Sequence, residues 1–166
     1  EKIGEAHERM DVLIEDLLRL AREGDQALET ERIDLEGCAK ECWETVNTKE
    51  ATLSVGVDSV LTADRNRFRQ LLANLFRNAV EHGGDAVSIS VGRLVDGFYV
   101  EDDGPGISPE DRRSVFEPGY TTAEEGTGFG MSIVKEIIDA HGWEIQVTES
   151  ESGGARFEIT DVEIER

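Results

Sequence analysis

Between Arg65 and Asp102 the spacing of the apolar residues changes once, and that change limits what this chain can fold into. From Arg65 to His82, Phe68, Leu71, Leu72, Leu75, Phe76 and Ala79 share one face at helical spacing, and "HGGD" ends the run. Beyond it, "AVSISVGRL" and "GFYVED" alternate as strands do, with "VDG" between them as a hairpin turn. The rest of the chain extends this mixture. Leu35 to Val46 reads as a short amphipathic helix, and "ATLSVGV" and "SVLTAD" as strands or a hairpin. "GPGISPEDRRSVFEPGYTTAEEGTG" reads as a long loop with one helical turn near Glu110 to Phe116, a length that in a compact domain usually marks function or mobility. Met131 to His141 is a helix, and "WEIQVTES" and "ARFEITDVEI" are closing strands. Adjacent strand pairs with separate helices predict an α+β fold: a two-layer sandwich, mostly antiparallel sheet with helices on one face.

The first residues follow a different pattern. Ile3, His7, Met10, Ile14, Leu17 and Ala21 keep the 4-3-4-3-4 spacing of a helical bundle seam, and such a helix needs a partner to bury its stripe. "REGDQALETE" breaks the pattern, so the expected division is a bundle helix over 1–24 and a second domain over 25–166. The chain starts at Glu1 inside a helical pattern, which predicts a piece of a longer protein.

Charge narrows the classes of partner. Lys plus Arg is 17 against 37 Asp plus Glu, a formal charge of −20, which excludes nucleic acid and anionic membrane surfaces as natural partners. No apolar run approaches the ~20 residues of a membrane span and no signal peptide is visible, so a cytoplasmic domain is expected. Cys38 and Cys42, one helical turn apart, have neither CxxC nor zinc spacing and are expected as buried thiols. Only 4 of the 17 cations are Lys; an acidic, Lys-poor surface suits concentrated salt and predicts a halophilic source.

Three stretches carry chemistry. Asn74 and Asn78 lie one turn apart at the edge of the apolar face of their helix, where amide oxygens could serve Mg²⁺, or could be plain surface amides. In "FYVEDDGPGI", Phe98, Val100 and Asp102 point to the same buried face. A carboxylate there needs a donor, and an adenine amino group is one; the alternative is an acidic turn before a loop. In "GTGFGMSIVKEIIDAHG", the glycines precede a helix whose free N–H groups and dipole favour an anion, or they form a hinge. The spacing is neither a P-loop nor a dinucleotide fingerprint, and HRD and DFG are absent.

Taken together and in order, "NLFRNAVEH", "DDGPGI", "VFEPGYTT" and "GTGFGMSIV" resemble the N, G1, F and G2 boxes of the ATP-binding domain of two-component sensor histidine kinases. That superfamily is shared with gyrase, Hsp90-type chaperones and MutL, and the Lys-poor acidity resembles a haloarchaeal member. The resemblance covers about residues 35–161. It implies ATP and Mg²⁺ as cofactors. It implies Asn78 as the metal ligand, Asn74 beside the phosphates and Asp102 on the adenine amino group. Gly104, Gly106 and Ile107 would shape the base pocket, and Phe116 and Tyr120 would anchor a lid over about 108–125. Gly126, Gly128 and Gly130 would surround the phosphates, with Thr127, Phe129 and Met131 of the same stretch counted among the cofactor-binding residues.

Where hydrolysing members carry a Glu, Asn74 is an amide and a poor base, which favours holding the γ-phosphate for transfer. The implied partners are a phosphoaccepting histidine on a missing dimerisation helix, a homodimer in the full protein and the receiver domain of a response regulator. Without the acceptor helix the fragment is not expected to phosphorylate itself. His7, with Val12 where a Pro is usual, falls on the seam and does not read as that acceptor. Departures from the family pattern at Glu81, His82, Asp103, Glu124 and Glu125 leave fewer cations near the phosphates. They keep three rivals open: a nucleotide-binding pseudo-kinase, an anti-sigma-type serine kinase and a purely structural dimerisation protein.

Overall fold

A computed structural model describes residues 28–46, 50–83, 86–117 and 130–165. The expected helix over 2–22, and with it His7, lies outside them, as do 118–129 of the expected lid and glycine stretch. Eight strands and three α-helices make up the described part: β1 Thr30–Asp34, α1 Leu35–Thr45, β2 Thr52–Val55, β3 Val60–Asp64, α2 Arg65–Gly83, β4 Ser88–Leu94, β5 Gly97–Asp102, α3 Gly130–His141, β6 Glu144–Glu149, β7 Ala155–Thr160 and β8 Ile164–Glu165. The α+β class holds, with helices packed on a mixed sheet.

Helices α1 and α2 each start where a carboxylate caps them. Asp34 accepts from the Gly37 N–H at 3.3 Å at the head of α1, and Asp64 accepts from the Arg67 N–H at 3.2 Å at the head of α2. Helix α2 buries Phe68, Leu71, Leu72, Leu75, Phe76 and Ala79, the face its sequence predicts. Opposite it, Phe98 and Val100 of β5 and Phe157 and Ile159 of β7 face inward, while Tyr99, Glu101, Arg156 and Glu158 turn out. The two layers meet edge to face at Phe68 and Phe98, whose ring centroids are 5.7 Å apart, with Trp143 against the other side of Phe68 at 6.3 Å. Each such buried ring contributes about 1.5–3 kcal/mol. Cys38 and Cys42 are buried free thiols on the inner side of α1. Their shared contact and burial push the Cys38 thiol well up.

The strands are arranged as the expected mostly antiparallel sheet, with three features the spacing did not predict. First, it is two sheets, ordered β1-β3-β8 and β2-β4-β5-β7-β6. Second, "ATLSVGV" and "SVLTAD" are strands but no hairpin: β2 runs parallel to β4, and β3 runs antiparallel to β1. The Gly56 N–H bonds to the Val91 carbonyl, and the Leu35 N–H bonds to the Ser59 carbonyl, so the four residues between β2 and β3 pass from one sheet to the other. Third, "ARFEITDVEI" breaks at Asp161, whose φ of 61° ends β7 and sends β8 to the small sheet. Strand β1, hidden in the acidic stretch "TERID", has a single buried residue, Ile33, and so carries no alternating signal.

Candidate functional site

Strand β5 delivers the central group. Phe98 and Val100 enter the core, and Asp102, next in the same alternation, reaches the strand end with 8% of its surface exposed. Its Oδ1 accepts from the Gly104 N–H at 2.9 Å and from the Ala155 N–H at 3.2 Å. The Ser150 hydroxyl donates to the Asp102 carbonyl at 2.8 Å and accepts from the Gly154 N–H at 2.9 Å. The fit leaves no room for side chains: a Cβ on Gly154 would fall on the Asp102 carbonyl, and one on Gly104 would meet the Gly83 Cα at 2.6 Å. Burial pushes the Asp102 carboxyl above its usual range, opposed by the Gly104 and Ala155 N–H groups, with Asp103 adding to the rise and His82 opposing it. The Gly104 and Ala155 N–H groups thus both meet the carboxyl at the same oxygen.

Asp102 forms one wall of a cavity of about 150 Å³, shared with Asn78, His82, Gly106, Ile107 and Met131. Asn78 and His82 sit one turn apart on α2, so one helix face supplies an amide and an imidazole. Burial holds the His82 imidazole below its usual pKa, and Asp102 partly restores it. Gly106 has φ of 79°, a turn that carries the chain from Asp102 across the cavity to Ile107.

Asn74 is placed differently. It is 2% exposed and does not line the cavity. Its Nδ2 donates to the Gly130 carbonyl at 3.2 Å, and its Oδ1 accepts from Gln70 at 3.0 Å and Arg77 at 3.2 Å. It ties α2 to the opening turn of α3. Phe116 lies behind the cavity, edge-on to Phe157 at 6.4 Å. Of the residues the sequence singled out, Asn78, Asp102, Gly106, Ile107 and Met131 meet at the cavity, Gly104 holds Asp102, and Asn74 and Gly130 bond to each other. Tyr120, Gly126, Thr127, Gly128 and Phe129 lie outside the described residues. Sequence reasoning missed Ser150, Gly154 and Ala155, whose signal was the glycine pair before the last alternating strand, and counted His82 as a departure from the family pattern rather than a site residue.

A buried carboxylate fixed through one oxygen, in a cavity wall shared with Ile107 and Met131, fits a planar base that carries an amine. Among the described residues no three His, Cys, Asp or Glu side chains converge on a metal position. A cation at Asn78 therefore fits only as a hard ion that brings other oxygen ligands with it.

The site is thus a cavity at a strand end with a helix N-terminus nearby, an arrangement suited to a nucleotide. Residues 63–164 match the model for "Histidine kinase-, DNA gyrase B-, and HSP90-like ATPase". The sensor histidine kinase ZraS of Escherichia coli O157:H7 is 33% identical over 94% of this chain and 38% of its own length. The sensor histidine kinase CpxA of Escherichia coli K12 is 32% identical over 96% of this chain and 38% of its own. The chain thus spans well under half the length of these relatives. Among solved structures, full-length ShkA in complex with AMPPNP has a TM-score of 0.74 at 28% identity, covering 98% of this chain and 37% of that one. The catalytic domain of histidine kinase ThkA has a TM-score of 0.65 at 27% identity, covering 80% of this chain and 94% of that one. The chain belongs to the histidine kinase-, DNA gyrase B- and HSP90-like ATPase family, as the ATP-binding catalytic domain of a sensor histidine kinase.

Proposed function

We propose that this domain binds Mg²⁺-ATP and, in its parent protein, presents the γ-phosphate to a histidine on a dimerisation helix, from which it passes to the receiver domain of a response regulator. The observation that carries the reading is the Asp102 carboxylate, buried in the cavity wall and fixed through Oδ1, which leaves Oδ2 as the oxygen to take a ligand's donor. The adenine amino group is that donor, and Gly104, Gly106, Ile107 and Met131 enclose the base. Bound Mg²⁺-ATP supplies the phosphoryl group and the charge that neutralises it. Asn78 offers its amide oxygen to the metal. Asn74 holds the opening of α3, so that Gly130 and the glycines before it, with Thr127 and Phe129, can face the phosphates. Phe116 and Tyr120 anchor the lid. No described side chain near Asn74 is a base suited to activating water, which favours transfer over hydrolysis. The chain's own part is binding, orientation and electrostatics.

The same reading places a boundary near residue 24. In support, β1 already belongs to the folded domain through its pairing with β3. It includes a homodimeric parent, a cytoplasmic position and a salt-adapted surface, the last supported by the charge of −20. Among the described residues no helix is long and apolar enough to cross a membrane.

The test is calorimetric titration of Mg²⁺-ATP in molar KCl with Asn78→Ala and Asp102→Ala beside the wild type. Binding that both variants weaken supports the site, and phosphate transfer to an added dimerisation hairpin then tests the activity. Absence of binding by the intact chain defeats the reading.

A further inference from the structure

We propose that Arg77 is a phosphate-contacting residue of this site, the cation that holds the outer phosphates of the nucleotide beside the opening of α3. The inference rests on the nucleotide reading above and assigns a residue which that reading does not use.

Arg77 lies on α2 between Asn74 and Asn78. At 3.6 residues per turn the three cover about 100° of the helix surface, with Asn74 in the middle. Asn78 is on the side that lines the cavity with Asp102 and His82, and Arg77 is on the far side. A base held at Asp102 therefore extends its phosphates past Asn78 toward Arg77. The Arg77 Nη1 donates to the Asn74 Oδ1 at 3.2 Å, and Asn74 Nδ2 donates to the Gly130 carbonyl at 3.2 Å. The guanidinium is thus two hydrogen bonds from the first residue of α3.

Among the described residues its partnership is incomplete for a half-buried cation: a guanidinium has five N–H donors in a rigid fork, and one neutral amide oxygen accepts from this one. In a chain of charge −20, Arg32, Arg65, Arg156, Lys40 and Lys135 each hold a carboxylate. Among the described residues Arg77 holds none; Arg93 and Arg112 share that trait but donate to carbonyl or hydroxyl oxygens outside the helix that carries Asn74. The fork matches two phosphate oxygens, and Arg does this better than Lys. The surroundings also require a cation. Glu81 is one turn further along α2, and Asp111 stands in the cavity wall, so a polyphosphate enters against negative charge. The competing role, a prop that only holds Asn74 in place, predicts a different dependence on ligand.

The experiment titrates adenosine, ADP and Mg²⁺-ATP into the wild type, Arg77→Gln and Arg77→Lys by calorimetry, with melting temperatures measured in parallel. Arg77→Gln is expected to weaken Mg²⁺-ATP by about 10-fold or more and ADP by less, while adenosine binds all three proteins alike. Arg77→Lys is expected to recover part of the loss, because it keeps the charge and loses the fork. An equal weakening of adenosine and ATP in Arg77→Gln overturns the proposal in favour of the prop, and unchanged ATP affinity overturns it outright. If Arg77→Gln does not fold, Arg77→Lys decides: a loss confined to phosphorylated ligands supports the assignment and an equal loss, or none, refutes it. Wild-type protein that binds neither adenosine nor ATP removes the nucleotide reading and this assignment together. Wild-type binding that depends on Asp102 but not on Arg77 removes only this assignment.

Discussion

The two ends of the site are built in opposite ways. At the base end, Asp102 is held by groups from Gly104, Ser150 and Ala155 and hemmed in by Gly154, so strand β5 and the turn before β7 must both be in place before the carboxylate is aimed. At the proposed phosphate end, Asn74, Arg77 and Asn78 come from two neighbouring turns of one helix, and among the described residues their tertiary hydrogen bond is the one from Asn74 to Gly130. The base end is therefore a property of the fold, and changing it disturbs stability as well as binding. The phosphate end is a property of a helix face, and its side chains can change affinity while the fold stands.

Asp102→Asn tests the first half most severely. The amide keeps an oxygen for the Gly104 and Ala155 N–H groups but presents a donor where the adenine amino group needs an acceptor. A mismatch in a buried polar site costs roughly 100-fold or more in affinity, and adenosine and ATP should suffer equally. Because burial raises the Asp102 pKa, its ionised form costs the empty protein stability at neutral pH, so the variant should also melt higher. A variant that binds adenosine normally would break the assignment of the base end. Gly154→Ala is next. Its Cβ falls on the Asp102 carbonyl, and overpacking of this kind costs about 1–3 kcal/mol. Adenosine affinity should fall with stability, and a variant that melts lower yet binds adenosine as before would separate what the comparison joins.

This contrast also explains what the sequence disclosed. The placement of Asn74 and Asn78 on one side of α2 was legible because they are four residues apart on a strongly periodic helix, and the burial of Asp102 was legible because β5 alternates cleanly. Asp102's supports were not legible: Ser150 and Ala155 lie about fifty residues away, and only the pairing of β5 with β7 brings them near. The same reason hid the sheet order. Local spacing identified β2 and β3 as strands, but nothing in "VGVDS" reveals that Gly56 bonds to Val91 of β4 while Ser59 bonds to Leu35. The position of Asn74 shows the limit from the other side. Its helix face was read correctly, but its burial against Gly130 depends on α3, which no spacing within α2 could supply.

Two smaller effects sharpen the phosphate end. Asn78→Ala should weaken Mg²⁺-ATP by roughly 10-fold, leave adenosine unchanged and make no difference to ATP in EDTA. A loss that persists without metal would point to packing in the cavity wall instead. Salt should act on the same end alone. Charges near the phosphates are screened within about 3 Å at 1 M, so ATP affinity is expected to rise a few-fold from low to molar KCl while adenosine affinity barely moves. A steady fall in ATP affinity over that range would mean that attraction, from Arg77 among others, outweighs repulsion from Glu81.

The smallest effect concerns a residue away from the cavity and serves as a reference for both ends. His141, at the end of α3, shares its Nδ1 with the Ile137 carbonyl at 2.8 Å and accepts the Asp64 N–H at Nε2 at 3.0 Å. These bonds require the neutral ring with its proton on Nδ1. Burial depresses the His141 pKa, partly offset by the Ile137 carbonyl and the nearby Asp64 carboxylate, with Arg67 lowering it further. A histidine whose pKa is lower in the folded chain leaves stability intact above the unfolded value of about 6.5, and stability is lost as pH falls through that value toward the folded one. Asp102 has the opposite sign. Its pKa is raised, so acidification toward about 4 returns stability to the empty protein as the carboxylate takes its proton. Melting temperatures from pH 7 to pH 5 should therefore fall for the wild type, with up to about 1 kcal/mol from the His141 bond to Asp64. They should fall less for His141→Asn, leaving the share owed to His82. If His141→Asn left the slope unchanged, the acid sensitivity would lie in the cavity itself, in His82 beside Asp102, and the base end would have to be regarded as responsive to pH.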